Sequence, residues 1–333
     1  MRAARCTEYG LPSRITVAEV PDPEPGPGEV LVRVQAAAVN YPDVLIVANR
    51  YQVSAPLPFT PGSEFAGVVA ALGPGASGPA VGSPVTGAVL SGAFAEQVVV
   101  PAAALRAIPD GLDMVQAAAF HVTYLTAYHS LVTVGAGQPG EWVAVLGAAG
   151  GVGSAATDVA TRLGLRVVAA ASSEERLVVA RKLGAEAGVD YVREDLKLRI
   201  RELTGGGAHL VIDPVGGDYA EAALRALRRG GRFVTIGYAG GSIPRIPLNL
   251  VLLKNVIVRG FEARTMRQYA PEAAASAELA LAGLVRTGMR PLVSHVHPLA
   301  EVATALTDVL ERRTTGKVVL DLELRRSGVG GAS

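Results

Sequence analysis

The chain has 333 residues, of which 50% are hydrophobic and 18% charged, with a formal net charge of +1. That length exceeds one ordinary core and calls for two domains in a globular protein. The near-neutral charge balance excludes an electrostatic footprint for nucleic acid or an anionic membrane, and a lone cysteine, Cys6, excludes an internal disulfide or a cysteine-built zinc cluster.

In chain order, the opening Met1-Arg2-Ala3-Ala4-Arg5-Cys6-Thr7-Glu8 lacks the apolar core of a secretion signal, so a cytoplasmic protein is expected. Roughly the first 110 residues are short β-like runs broken by Pro and Gly. Val30–Val34, Gly67–Ala71 and Phe94–Val100 are strand candidates, and Pro25-Gly26-Pro27-Gly28 and Pro61-Gly62 are turn signals. Phe65 to Ala95 carries no charge, but Pro74, Pro79 and Pro84 make it strands and turns rather than a membrane span.

From about Asp113 strand-like runs alternate with helical patterns, as in a parallel α/β sheet. The strand candidates are Trp142–Leu146, Arg166–Ala171, Ala187–Asp190, His209–Asp213, Arg232–Ile236 and Val256–Gly260, and they match a doubly wound, six-stranded Rossmann sheet. A helix at Pro271–Thr287 and a strand at Lys317–Leu322 have no place in that sheet, so the C-terminal segment is expected to return to the first domain. Ser327 to Ser333 is expected to be a mobile tail.

The most informative stretch runs from Trp142 through Leu146-Gly147-Ala148-Ala149-Gly150-Gly151-Val152-Gly153. A buried strand enters glycines, and a helix follows with Val152, Ala155, Ala156, Val159, Ala160 and Leu163 at helical spacing, placing Asp158 and Arg162 on the other face. Gly147 permits the tight exit, Gly150 leaves room for a pyrophosphate beside the backbone, and Gly151 and Gly153 let the helix pack on the sheet. This is a dinucleotide cradle. An NAD site places an acidic residue at the tip of the second strand about 20 residues on. Here that strand ends Ala171-Ser172-Ser173, with Arg176 behind it and Tyr191 ending the third strand, a set suited to the 2′-phosphate of NADPH. The competing assignment makes Arg176 a solvated charge and gives the ribose to Glu174 or Glu175.

The run Leu146 to Gly153, with Pro61-Gly62-Ser63-Glu64-Phe65-Ala66-Gly67, Leu125-Thr126-Ala127-Tyr128 and Gly316-Lys317-Val318-Val319, resembles the medium-chain dehydrogenase/reductase superfamily in its zinc-independent quinone oxidoreductase (zeta-crystallin-like) branch. The resemblance covers nearly the whole chain. It implies an α/β protein with a GroES-like β-barrel at 1–118 and 266–333, a Rossmann domain at 119–265, and an active site in the cleft between them. It also implies nicotinamide-side contacts from Thr126, Gly237, Tyr238, Phe261, Gly316 and Lys317.

The departures bear on mechanism. Where zinc alcohol dehydrogenases of the superfamily carry a cysteine and a Gly-His-Glu motif, this chain has Asn40-Tyr41-Pro42-Asp43 and Gly62-Ser63-Glu64, and it lacks the four-cysteine zinc lobe. A serine and an amide cannot build a tetrahedral zinc site, so no metal is expected. His295 and His297 are explained by alternation along a strand. Without a Lewis acid the hydride must go to an acceptor already electrophilic, a quinone or an α,β-unsaturated carbonyl. Asn40 and Tyr51 resemble the positions that hydrogen-bond the acceptor carbonyl, and Tyr41 one that stacks on a flat substrate.

The expected activity is therefore an NADPH:quinone oxidoreductase. Enone, enal or enoyl-thioester reduction shares every motif. A nucleotide-binding protein with a structural or RNA-binding role is the alternative of another class, which the neutral charge disfavours. The apolar Leu250–Arg259 segment ends in an edge strand, which in the family pairs across a two-fold axis, so a homodimer through Val256–Val258 is expected.

Overall fold

A computed structural model describes residues 1–324, so the expected tail at 327–333 lies outside the described residues. The chain forms two units, one taking in Met1–His121 and the chain from Val293 on, the other Val122–Leu292. The first opens with β1 (Arg2–Arg5), β2 (Thr16–Glu19), β3 (Glu29–Val39), β4 (Glu64–Leu72), β5 (Pro84–Ala88), β6 (Gln97–Pro101) and β7 (Leu105–Ala107). The second carries β8 (Trp142–Leu146), β9 (Arg166–Ala171), β10 (Ala187–Asp190), β11 (Ala208–Asp213), β12 (Leu227–Thr235) and β13 (Ile257–Gly260). β14 (Val293–Pro298) and β15 (Lys317–Asp321) close the chain.

In the first unit a seven-stranded sheet runs β14-β15-β3-β4-β5-β7, with β6 also paired to β3. β15 lies antiparallel to β3, Val318 opposite Val39, so the C-terminal strand joins the N-terminal sheet as expected. Along β3 the inward Val30, Val32 and Val34 alternate with less buried neighbours, the period of a strand with one wet face. The pattern ends at Ala36, Ala37 and Ala38, buried on both sides. There Ala117 and Ala118 of the helix Met114–Ala118 pack on Ala36, Ala38 and Ala66, small residues that let helix and sheet approach closely. Phe65 and Phe94 are the largest fully buried side chains of this unit's core.

The second unit is a parallel sheet ordered β10-β9-β8-β11-β12-β13. All five residues of β8 are buried, which is why that strand reads as a continuous apolar run: helices cover both faces. The chain winds outward from β8 in opposite directions, so the strand order reverses beside it, where doubly wound sheets take ligands at their carboxyl ends.

Two expectations need adjusting. The return to the first unit comes at Val293; the helices Met266–Tyr269 and Pro271–Arg286 belong to the second. They are tied there by Tyr124, whose hydroxyl donates to Arg290 O at 3.2 Å, and by Ala274, Ala277, Leu281 and Val285 on the buried stripe of the longer helix. Asp158, assigned to an outward face by periodicity, is buried: it accepts from Arg162 Nε at 2.6 Å and from the Tyr124 hydroxyl at 3.2 Å. No helix among the described residues is long and apolar enough to cross a membrane.

Candidate functional site

In the second unit the glycine turn follows β8 as a cradle. Gly147 sits at φ +58°, and a Cβ there would come 2.8 Å from Val215 Cγ2. Gly150 caps the helix Gly151–Arg162 without a side chain, leaving the first-turn N–H groups open to an anion. A Cβ on Gly153 would meet Gly147 O at 2.0 Å, so this glycine is required for the helix to close on the turn. Ala148 and Ala149 are buried, and the Ala148 N–H donates to Ala170 O at 3.1 Å, locking the turn to β9. Gly151 and Val152 are half-buried in the first helical turn.

At the tip of β9, Ser172 is exposed and Ser173 precedes the helix Glu174–Lys182, which carries the half-buried Arg176. Both nearby carboxylates are engaged. Glu174 pairs with Arg181, and the Ser173 hydroxyl bonds Glu175 and holds its carboxyl below the ordinary range. Tyr191 joins this group: its N–H donates to Ala171 O at 3.0 Å, and its ring lies 4.3 Å from that of Tyr219. Ser172, Ser173, Arg176 and Tyr191 therefore share the carboxyl ends of two adjacent strands.

The remaining residues expected to face a nicotinamide follow β12 and β13. Gly237 and Tyr238 follow β12 after Ile236, with the Tyr238 ring against Gly216, where a Cβ would meet Cδ1 at 2.8 Å. Phe261 donates its N–H to Thr235 O at 3.1 Å, and its ring packs 5.4 Å from buried His129. Burial lowers the pKa of His129. Thr126 is buried in the helix His121–Tyr128, its hydroxyl donating to Val122 O at 2.7 Å.

Sequence reasoning did not single out Asp213. Its Oδ1 accepts the N–H groups of Val215 and Gly216 at 2.9 and 2.8 Å, holding the turn after β11, and burial raises its pKa. The run Asp213-Pro214-Val215-Gly216-Gly217 at a strand end was the available signal.

In the first unit three strands bring a polar cluster together. β3 ends at Val39, β4 starts at Glu64 and β15 starts at Lys317, and pairing places Glu64 opposite Ala38 and Val318 opposite Val39. Asn40 caps the helix Tyr41–Val47, and the Asp43 carboxylate accepts the Asn40 N–H at 2.7 Å, a capping box whose three-residue spacing was legible in the chain. The Lys317 ammonium donates to Asn40 Oδ1 at 2.5 Å, Glu64 Oε2 at 3.2 Å and Val39 O at 3.2 Å, one acceptor for each of its hydrogens. Asn40 Nδ2 donates to Glu64 Oε2 at 3.1 Å and to Ser63 Oγ at 3.4 Å.

Lys317, expected at the cofactor, thus has its ammonium in the Asn40–Glu64 cluster, and both amide groups of Asn40 are committed within it. Tyr41 is half-buried at the first turn of the helix, and Tyr51 is half-buried against the core of this unit. Asp43 is fully enclosed. Burial pushes its pKa up to about 6, against the Ser63 hydroxyl, the Asn40 N–H and the Lys317 charge, which lower it; Glu64 adds to the rise. Asp43 Oδ2 takes the Asn40 N–H, whereas Oδ1 is buried without a hydrogen-bond partner.

This donor set does not fit zinc. It offers an amide, a hydroxyl and a carboxylate already paired with an ammonium, where a tetrahedral site needs three or four histidine, thiolate or carboxylate ligands. Among the described residues no group of three or more His, Cys, Asp or Glu is arranged to hold a metal ion. His297, from the His-x-His pair, is engaged by Glu301 at 3.1 Å, and its ring stacks 6.1 Å from that of His295. The glycine cradle and the β9 tip do fit a dinucleotide.

Family models match in two places: "Zinc-binding dehydrogenase" over residues 151–278 and "Alcohol dehydrogenase GroES-like domain" over residues 26–110. Quinone oxidoreductase-like protein 2 of Bos taurus is 39% identical over 325 residues, which is 97% of this chain and 93% of that protein. The quinone oxidoreductase of Escherichia coli, solved in complex with NADPH, is 27% identical with a TM-score of 0.90, covering 96% of this chain and 100% of that one. The quinone oxidoreductase of Thermus thermophilus is 36% identical with a TM-score of 0.84, covering 97% of this chain and 100% of that one.

Proposed function

The chain belongs to the medium-chain dehydrogenase/reductase superfamily, in its quinone oxidoreductase family, and on that premise we propose that it is an NADPH-dependent reductase of quinones or similarly conjugated carbonyls, acting without a metal. The observation that carries this reading is the Lys317 ammonium bonded to Asn40 and Glu64. A divalent cation placed among these residues would meet a positive charge and no competent ligand set. Without Lewis-acid activation, the acceptor must already be electrophilic.

NADPH, when bound, supplies the hydride. The chain holds it by the backbone of Gly147, Ala148, Ala149, Gly150, Gly151 and Val152, with Ser172, Ser173 and Arg176 at the 2′-phosphate and Tyr191 beside them. Partners already found for Glu174 and Glu175 favour this phosphate reading over a carboxylate gripping the ribose. Thr126, Gly237, Tyr238 and Phe261 face the nicotinamide half, and Tyr41 and Tyr51 orient a flat acceptor.

The assembly proposed is a homodimer. β13 is an edge strand with Ile257 45% and Val258 44% exposed, and Leu248, Leu252 and Leu253 are exposed on the helix Leu248–Lys254 before it. An apolar edge with unpaired backbone groups needs a partner strand. A single monomeric species in light scattering would refute it.

The function is tested by following loss of reduced-nicotinamide absorbance with NADPH and NADH, against a flat ortho-quinone and a simple enone. NADPH-dependent quinone turnover unaffected by a chelator is the expected result. Turnover of the enone alone moves the substrate class to enones, an NADH preference overturns the cofactor assignment, and inhibition by a chelator overturns the metal-free mechanism.

A further inference from the structure

The cluster in the first unit has a direction. Lys317 has three hydrogens and donates all three, one of them to Asn40 Oδ1. That contact fixes which way the Asn40 amide faces, so its NH2 must point to Glu64 and Ser63. Ser63 Oγ thereby receives a hydrogen bond, and its own proton must go elsewhere. The Asp43 carboxyl is close enough for the Ser63 hydroxyl to lower its pKa, and it is one destination; a molecule bound in front of Ser63 is the other. Lys317, Glu64 and Asp43 are all buried, whereas Ser63 is half-buried, so the chain of oriented bonds ends at the one member that solvent or a substrate can reach.

Behind Ser63 stands Asp43, with one oxygen held by the Asn40 N–H and the other, Oδ1, buried and without a partner. An unpartnered, fully buried carboxylate oxygen is costly as an anion and far less so carrying a proton. The charged groups facing Asp43 are Lys317 and Glu64, and they oppose each other.

From this geometry we infer that Ser63 is the proton-delivering hydroxyl of the reaction, refilled from the Asp43 carboxyl and oriented by Lys317 through Asn40. The inference rests on the reductase reading above. The conjugated acceptor gains two electrons and one proton as hydride, and the reduced nicotinamide is oxidised. Negative charge builds on the acceptor oxygen. The Ser63 O–H bond breaks as a new O–H bond forms on that oxygen, and Ser63 Oγ takes the proton of Asp43. Asp43 is left as a carboxylate facing the Lys317 charge, and once the product leaves it is reprotonated from water by way of the Ser63 hydroxyl, which passes its proton to Asp43 and takes one from solvent. The resting contact between Ser63 and Asp43 tightens when an acceptor is bound, as catalytic hydrogen bonds do. Ser63 is the catalytic residue here; Asp43, Asn40 and Lys317 act through it as positioning residues.

The test compares the wild-type protein with Ser63→Ala, Ser63→Thr and Asp43→Asn, each first checked for a cooperative unfolding transition and for NADPH binding by fluorescence titration. With an enone, whose enolate needs a proton promptly, Ser63→Ala is expected to lower kcat about a hundredfold with little change in KM, and Ser63→Thr to restore most of it. The wild-type kcat should fall on the alkaline side, and that limb should vanish in Asp43→Asn. Independently of turnover, infrared difference spectra between acid and alkaline pH should show a buried protonated-carboxyl band that Asp43→Asn removes. Ser63→Ala turning over at the wild-type rate with an unchanged pH profile overturns the relay and leaves the reductase reading standing. A wild-type protein that reduces no conjugated carbonyl with NADPH overturns the reductase reading first, and the relay with it.

Discussion

Lys317 and Glu64 stand 253 residues apart in the chain, yet the ammonium of one lies 3.2 Å from the carboxylate of the other, with side-chain exposures of 4% and 0%. Two charges taken so far out of water persist only if each compensates the other and the remaining hydrogen-bonding capacity is filled. Asn40 and the Val39 carbonyl complete that requirement for the ammonium.

Removing one partner should therefore be far worse than removing both. Lys317→Met takes the ammonium away from the buried Glu64 carboxylate and should cost about 3–5 kcal/mol in denaturant unfolding. Lys317→Met combined with Glu64→Gln should recover most of that loss while turnover stays low, because the Asn40 amide is no longer held in one orientation. A double variant as unstable as the single one would show that packing, not charge, dominates the site.

Asp43 gives a pH dependence of stability with a definite sign. Burial raises its pKa from 3.8 to about 6, so the folded protein binds this proton more tightly than the unfolded chain. Its contribution is fully present below about pH 4 and is lost as pH rises through about 6, a difference of up to about 3 kcal/mol. Asp43→Asn should remove that slope from a series of unfolding curves between pH 4 and 7 and raise stability at pH 8. Parallel curves for variant and wild type across that window would refute the assignment.

The two glycines of the cradle should fail in different ways. A Cβ on Gly153 meets Gly147 O at 2.0 Å, so Gly153→Ala should destabilise the fold by about 1–3 kcal/mol or more. On Gly150 the nearest atom is Gly147 O at 3.3 Å and φ is −80°, so Gly150→Ala asks only a small give of that carbonyl and should lower the melting temperature far less than Gly153→Ala while losing NADPH affinity. Thermal melts and a fluorescence titration of each variant separate the two.

Arg176→Gln should raise the Kd for NADPH roughly ten- to hundredfold, the value of one charge-assisted contact to a phosphate, and leave that for NADH nearly unchanged. Equal weakening of both cofactors would mean that Arg176 acts on the helix rather than on the 2′-phosphate.

The glycine turn was legible in the chain because it is local. The strand Trp142–Leu146, the glycines and the helix after them are contiguous, and their periods and turn requirements are set by neighbouring residues. All six strands of the parallel sheet were recognisable for the same reason, and the return of the last strand followed from its having no place among them.

Other features depended on which distant segments meet. Periodicity set Asp158 outward, and only the packing of Tyr124 and Arg162 around it shows why a carboxylate is buried there. The helix Pro271–Arg286 carries no mark of the unit it joins. Lys317 stands in a motif resembling one that reaches the cofactor, and nothing in that motif announces that the antiparallel pairing of β15 with β3 delivers its ammonium to Asn40 and Glu64. The amino-acid sequence by itself determined the glycine turn after the first strand of the parallel sheet, the layered strands and the absence of ordinary zinc ligands at 40 and 63, since each is a property of residue type and nearby spacing. Only the tertiary structure decided where the charges go, because the partner of a buried charge is chosen by strand order and register across hundreds of residues, and no local pattern carries that choice.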